Sequence, residues 1–211
     1  RVNLYRPFWI EEMCPSKQPK SPTARVSKRV EQGNRSRDSL LRAATRHFSE
    51  RGFSATSIDD VCREAGVVKS AVYWHFDSKE DLFAEAFAVG LEQVSERLSR
   101  VAEAAPRGGG LKALIDAYLS QEHCDDAANG CPVAALMAEV ARRPGATRGV
   151  FRQAMRAHIA RMARYMPGQT DEERQRTAVM LFSGMAGTLN VARALTDERR
   201  QVTEIGAQVL L

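Results

Sequence analysis

SRDSLLRAATRHFSERGFSATSIDDVCREAGVVKSAVYWHFDSKEDLF, residues 36–83, decides the fold. Leu40, Leu41, Ala44 and Phe48 recur at three-to-four spacing, which predicts an amphipathic first helix that stops at Gly52. Thr56 reads as the N-cap of a second helix, with Asp59 three residues on to face its free amides. Ile58, Val61 and Ala65 mark that helix's buried side, and Gly66 ends it. A third helix is predicted from about Val68 to His75. Ser78, followed by Glu80 and Asp81, caps a fourth whose stripe runs Leu82, Phe83, Ala86, Phe87, Leu91, Val94, Leu98. Three short helices with tight turns, the third ending in Tyr73, Trp74 and His75, suit a helix placed in a DNA major groove.

The charge is distributed in agreement with that reading. The chain of 211 residues carries a net charge of +5, and 44% of its residues are hydrophobic, enough for real cores. Residues 17–77 hold twelve Lys/Arg against seven Asp/Glu, whereas 1–16 and 78–211 each balance. All the excess positive charge therefore sits in the N-terminal third, where a polyanion partner or a solvated tail would each account for it. No run approaches a membrane span and no signal peptide is evident, so a cytoplasmic location is expected. Cysteines 14, 62, 124 and 131 lack C-x2-C pairing and read as reduced thiols, with no metal and no cofactor expected.

Around this stretch, residues 1–35 lack sustained periodicity. Lys17 to Arg37 carries seven basic residues and one acid, with Pro15, Pro19 and Pro22 opposing a helix, so 1–35 reads as a flexible basic N-terminal arm. The opening RVNLYRPFWIEE differs in character and carries no functional weight, with Met13 a candidate start. Residues 36–77 read as a helix-turn-helix DNA-binding domain and 78–211 as a helical effector-binding and dimerisation domain. Pro106 and Gly108 to Gly110 stop the fourth helix. Five more are expected at roughly 111–127, 132–142, 148–166, 171–195 and 197–210, with breaks at Asn129-Gly130, Pro144-Gly145, Pro167-Gly168 and an N-cap at Thr196. No strand-like alternation or internal repeat stands out, so the expected fold is all-α: a three-helix reading head followed by a helical ligand-binding and dimerisation domain.

The segment FSERGFSATSIDDVCREAGVVKSAVYWHFDSKEDLF strongly resembles the DNA-binding domain of TetR-family repressors. Gly52-Phe53, Thr56, Ile58, Ala65-Gly66-Val67, Tyr73-x-His75-Phe76 and Ser78-Lys79-Glu80-x-Leu82 carry the resemblance over about fifty residues. Gly130-Cys131-Pro132-Val133-Ala134-Ala135-Leu136 further resembles the LmrA/YxaF-like subgroup. The resemblance implies a tight turn at Gly66 and a recognition helix held by Val67, Val72 and Phe76. Lys69, Ser70, Ala71 and Tyr73 would then face DNA, with Trp74 beside them and Thr56 and Lys79 anchored to phosphates. Arg35 and Arg37 are candidates for phosphate or minor-groove contact, or else merely solvated charges. Val68 stands where a Ser or Thr often caps the helix, and Ala71 where a polar residue often reads a base. Tyr73 and Trp74 have a second reading as core aromatics, and His75 reads as structural.

Six of the seven methionines (137, 155, 162, 166, 180 and 185) lie beyond the reading head. Phe83, Phe87, Met137, Phe151, Met155, Met162, Phe182 and Met185 are the candidate lining of a lipophilic or aromatic effector site, or else plain bundle core. His123, His158, Arg161 and Asn190 are candidate polar handles. Val179, Phe182, Met185, Ala186 and Leu189, with Ser183, Gly184 and Gly187 permitting close approach, make residues 171–210 the expected homodimer element. Cys131, before Pro132 at a helix start, raises the idea of a redox switch with Cys124; two ordinary thiols explain the pattern as well. The function expected from all this is a homodimeric, ligand-released repressor bound to a palindromic double-stranded operator, with a small-molecule effector and no membrane partner. An α-helical enzyme or carrier is the competing class, without a Gly-rich phosphate loop, metal-ligand pair or nucleophile–base pairing to support it. An architectural DNA-binding protein would need no effector pocket.

Overall fold

The computed structural model describes residues 22–143, 145–195 and 197–211, without the side chains of 22–30 and Ala146. Its elements are α1 (Pro22–Ala55), α2 (Ile58–Ala65), α3 (Lys69–His75), α4 (Lys79–Ala104), α5 (Gly110–Tyr118), α6 (Gln121–Asp125), α7 (Pro132–Ala141), α8 (Gly145–Ala163), α9 (Asp171–Ala194) and α10 (Arg199–Val209). Among the described residues there is no strand, as the all-α reading expected. Residues 36–211 form one compact unit, separate from residues 1–35.

Gly52 interrupts α1 with φ 77° and ψ 174°, so the first helix ends there in effect and Phe53 turns inward. Residues 22–35 correct the expected non-helical arm. A proline is harmless at a helix's first position, where its missing N–H would be unpaired anyway, and Pro22 begins α1. The remainder of the arm, the candidate start at Met13 and the Thr196 cap lie outside the described residues.

Ser57, rather than Thr56, caps α2: its hydroxyl accepts the Asp60 amide at 3.0 Å. Gly66 closes that helix in the left-handed region, with φ 68°. Val68 begins α3 with no side-chain cap, as its departure from the family pattern implied. Ser78 caps α4 through the Asp81 amide at 3.1 Å. The expected helix at 111–127 is instead two, because Ser120 accepts the His123 amide and restarts the chain as α6. A reciprocal capping box of Thr170 and Glu173 starts α9.

The packing runs from the reading head into the body without a gap. Phe48, Phe53 and Phe83 form an aromatic knot, with ring centroids 5.0 Å (48–83), 5.3 Å (53–83) and 5.9 Å (48–53) apart. Truncating one such buried ring costs about 3–5 kcal/mol. On the other side of α1, the Thr45 hydroxyl approaches the carbonyls of Leu41 and, on α4, Ala86, at 2.8 and 3.0 Å. A Cβ at Gly90 would lie 2.8 Å from the Thr45 methyl, so the crossing of α1 and α4 needs glycine there. Helix α4 then continues along α5 and α8, while α9 packs on α8 and α10.

Candidate nucleic-acid interface and effector groove

Val67, Val72 and Phe76 hold α3 against the reading head: Val72 and Phe76 are buried and Val67 is half-buried. Their burial on one side turns the other side outward. Tyr73 is 58% exposed and Trp74 82%, so neither is a core aromatic. Lys69 and Ser70 are also exposed and Ala71 half-buried, which brings together the face expected to meet DNA. Lys69 Nζ lies 3.0 Å from an Asp59 carboxylate oxygen, and hydrogen bonding to that carboxylate raises the lysine pKa. Exposed ion pairs of this kind contribute little, so Asp59 holds Lys69 only weakly.

Three of the expected DNA contacts are occupied within the protein. Thr56 is 2% exposed, and its hydroxyl lies within donating distance of the carbonyls of His47 and Gly52, at 3.0 and 2.8 Å. It locks the α1–α2 turn instead of offering its side chain to a phosphate. Arg37 pairs with Glu85 on α4 and lies over the Phe76 ring, 5.5 Å from its centroid, so it fastens the head to the body. Lys79 lies with Nζ 4.3 Å from the centre of the Phe53 ring, and burial pushes its pKa down. Arg35 is exposed.

A joint that sequence reasoning missed lies beside Lys79. The Phe53 amide donates to Glu139 Oε2 at 2.8 Å, and the Arg143 guanidinium lies 3.8 Å from the Phe53 ring centroid. A Cβ on Gly52 would meet Glu139 Oε1 at 2.3 Å, so the carboxylate seats against the bare glycine turn. Helix α7 thus grips the reading head through Glu139, with Arg143 just beyond its end. On another side of the same helix, Met137, Val140 and Ala141 line a groove of about 1270 Å³ shared with α8 and α9. The only sequence signal was a glutamate at 139 and an arginine at 143, which read equally well as an ordinary solvated pair at i,i+4.

The groove takes up Met137, Phe151 and Met155 of the candidate effector residues. The other five, Phe83, Phe87, Met162, Phe182 and Met185, are buried in the core. Phe182 stacks edge-on between Tyr118 and His158, at 5.9 and 4.4 Å between centroids, which leaves it no open face toward the groove.

The buried polar groups are structural. His123 Nδ1 lies 2.5 Å from the Tyr118 carbonyl while Nε2 accepts the Cys131 amide at 3.0 Å, so neither ring nitrogen is free for an effector or a metal. The Ser95 hydroxyl lies 2.9 Å from the Leu91 carbonyl and 2.6 Å from His158 Nδ1, tying the ring to α4. Burial lowers both histidines from 6.5 to about 4. Arg161 pairs with Glu92, and Asn190 is exposed. Burial pushes the Cys124 and Cys131 thiols up, the reverse of what a reactive thiolate needs.

The expected dimer face also changes. Phe182, Met185, Ala186 and Leu189 point into their own chain. Gly184 abuts Leu210 of α10 and Gly206 abuts Thr188 of α9, so these glycines serve packing inside the chain. The outward face of α9 carries Met180 (74% exposed), Ser183, Gly187, Val191 (50% exposed) and Leu195, beside Ile205 and Val209 of α10.

A three-helix head whose third helix turns Lys69, Ser70, Tyr73 and Trp74 outward has helix-turn-helix geometry. Residues 40–86 match the family described as bacterial regulatory proteins, tetR family. The HTH-type transcriptional regulator LmrA of Bacillus subtilis is 32% identical over 106 residues, 49% of this chain and 56% of LmrA. AcrR of Shigella flexneri is 36% identical over 69 residues, 33% of this chain and 32% of AcrR. The chain thus spans between a third and just over half of the length of these relatives. The fold extends further: reduced NemR of E. coli superposes with a TM-score of 0.69 over 83% of this chain and 94% of NemR, at 19% identity. Over residues 40–86 the chain thus matches the DNA-binding segment of the tetR family of bacterial regulatory proteins. Among the described residues, no helix is long and apolar enough to cross a membrane.

Proposed function

We propose that the protein is a homodimeric transcriptional repressor, released from a palindromic operator when a small lipophilic effector occupies the groove between α7, α8 and α9. One observation carries this reading. Helix α7 touches the groove through Met137, Val140 and Ala141 and grips the α1–α2 turn through Glu139. A ligand that shifts α7 therefore acts on the reading head directly. Its effect equals its difference in affinity between the DNA-competent and incompetent arrangements, typically about 1–3 kcal/mol.

The dimer reading is supported by the outward face of α9, where Gly187, Val191 and Leu195 are exposed, Met180 stands at the edge toward the groove, and Ile205 and Val209 of α10 lie alongside. Apolar side chains so exposed and contiguous favour burial against a second copy, and a two-fold axis would present two α3 helices to two half-sites. Within each half-site, Lys69, Ser70 and Tyr73 are suited to phosphate oxygens and base edges, and Ala71 to a thymine methyl.

Footprinting on the DNA upstream of the protein's own gene, backed by genome-wide selection of bound fragments, tests this. A protected palindrome that disappears with Tyr73→Ala plus Trp74→Ala is the expected result. Recovery of no sequence in either experiment would overturn it.

A further inference from the structure

Helix α8 carries Arg148, Arg152, Arg156 and Arg161 and no acidic residue between Gly145 and Ala163. Arg161 is neutralised by Glu92. The other three recur at i, i+4 and i+8, so they form one edge roughly 12 Å long. All three are exposed, line the groove and make no ion pair among the described residues. Phe151, Met155 and Ile159 recur at the same spacing beside them, all half-buried and all facing the same groove. Across it, Glu172 is already paired with Arg176, while Val179 and Met180 extend the apolar wall.

An apolar trough with one cationic edge matches a particular ligand chemistry. We propose that the groove binds an amphipathic organic anion, an aliphatic or aromatic body ending in one carboxylate, with Arg152 and Arg156 as its principal counter-charges. The apolar body lies on Phe151, Met155 and Val179. The carboxylate meets guanidinium groups that have no internal partner to give up, and paired geometry between such groups gives a strong, directional bond. A second copy of this chain suits the α9–α10 face instead: between Met180 and Leu195 its only charged side chain, Arg193, is turned inward to the His123 and Cys124 carbonyls. The proposal rests on the effector-site reading above and names the ligand class for it.

The test is calorimetric titration of the full chain with decanoate and with decan-1-ol, which share an apolar body and differ in the anion. The expected result is one decanoate per chain, bound at least tenfold more tightly than the alcohol. That preference should fall at least fivefold in Arg152→Gln plus Arg156→Gln and survive in Arg107→Gln, a loop control outside the groove. Equal affinity for acid and alcohol, several acids per chain, or a preference unchanged in the double variant would overturn it. So would binding to phosphatidylglycerol vesicles without binding to decanoate, which would assign the arginines to a lipid surface. Operator binding is measured on the same samples. Its retention alongside failed decanoate binding sinks only this inference, whereas its absence sinks the repressor reading.

Discussion

Removing the Glu139 carboxylate should cut the signal between groove and reading head more than it harms the fold. Glu139 Oε2 accepts the Phe53 amide at 2.8 Å, and Phe53 is buried. A hydrogen bond to a charged acceptor contributes about 1.5–3 kcal/mol, and the partial exposure of Glu139 argues for the lower end. Arg143 remains over the Phe53 ring in Glu139→Ala, and the aromatic knot beneath is untouched. The expected loss of stability is therefore about 1.5 kcal/mol in Glu139→Ala. Glu139→Gln keeps an oxygen acceptor at the same reach and should lose about half as much.

The functional effect should be larger in relative terms. If 1.5 kcal/mol of the coupling passes through this bond, the effector-induced change in operator affinity shrinks by about tenfold. Urea unfolding gives the first number, and operator anisotropy with and without decanoate gives the second. Stability within about 0.5 kcal/mol of the parent in Glu139→Ala, together with an undiminished response, would refute the joint.

Three further outcomes are expected. Tyr73→Ala and Trp74→Ala should each weaken operator binding by about tenfold, through lost phosphate and groove contacts, while unfolding midpoints stay put because both side chains are exposed. Unchanged operator affinity in both would remove α3 from the interface. Val191→Asp plus Leu195→Asp should convert a dimer to a monomer in sedimentation velocity, since both side chains point out of α9; a persisting dimer would move the interface elsewhere. Acid should destabilise the fold through His123 and His158. Each has a pKa lowered to about 4 by burial, against 6.5 when unfolded, so the unfolded chain binds more protons between those values. Stability contributed above 6.5 is thus lost as pH falls toward 4, about 2 kcal/mol per histidine between pH 7 and 5. Chemical unfolding across that range checks it, and His158→Asn should remove about half of the slope; a flat profile would contradict the burial argument.

The reading head was almost wholly legible because its signals are local. Gly52, Gly66, Ser78 and the apolar spacing of Val61, Val72 and Phe76 act within one or two turns of chain. One error there came from near neighbours competing for one role. Thr56 and Ser57 both make good caps, and only packing put Thr56 inside, beneath the His47 carbonyl. Arg37 read as a nucleic-acid contact because its partner, Glu85, is 48 residues away. The body was legible as helices and poorly legible as surfaces. Helix α9 has two apolar faces, Phe182–Met185–Leu189 and Met180–Gly187–Val191, and periodicity alone does not say which one turns inward. Their apolar character alone therefore fits Phe182 and Met185 to an effector lining, whereas packing buries both in the core.

Placing the joint at Glu139 and the arginine edge at Arg152 and Arg156 on adjacent helices constrains the mechanism. An anion drawn to α8 need not enter the core to be felt. Standing between α8 and α7, it would press Val140 or Ala141 aside, while on α7 the Glu139 carboxylate seats against Gly52 and Pro132 lies beside Gly90. Such a displacement loads the Glu139–Phe53 bond first, and the turn it holds leads directly into α2 and α3. Filling the groove from within should therefore mimic the effector. Ala141→Phe should lower operator affinity without ligand, and Glu139→Ala in the same chain should restore it. Restoration follows only if the strain reaches DNA through that one bond; a double variant as weak on DNA as Ala141→Phe alone would route the signal through α4 instead.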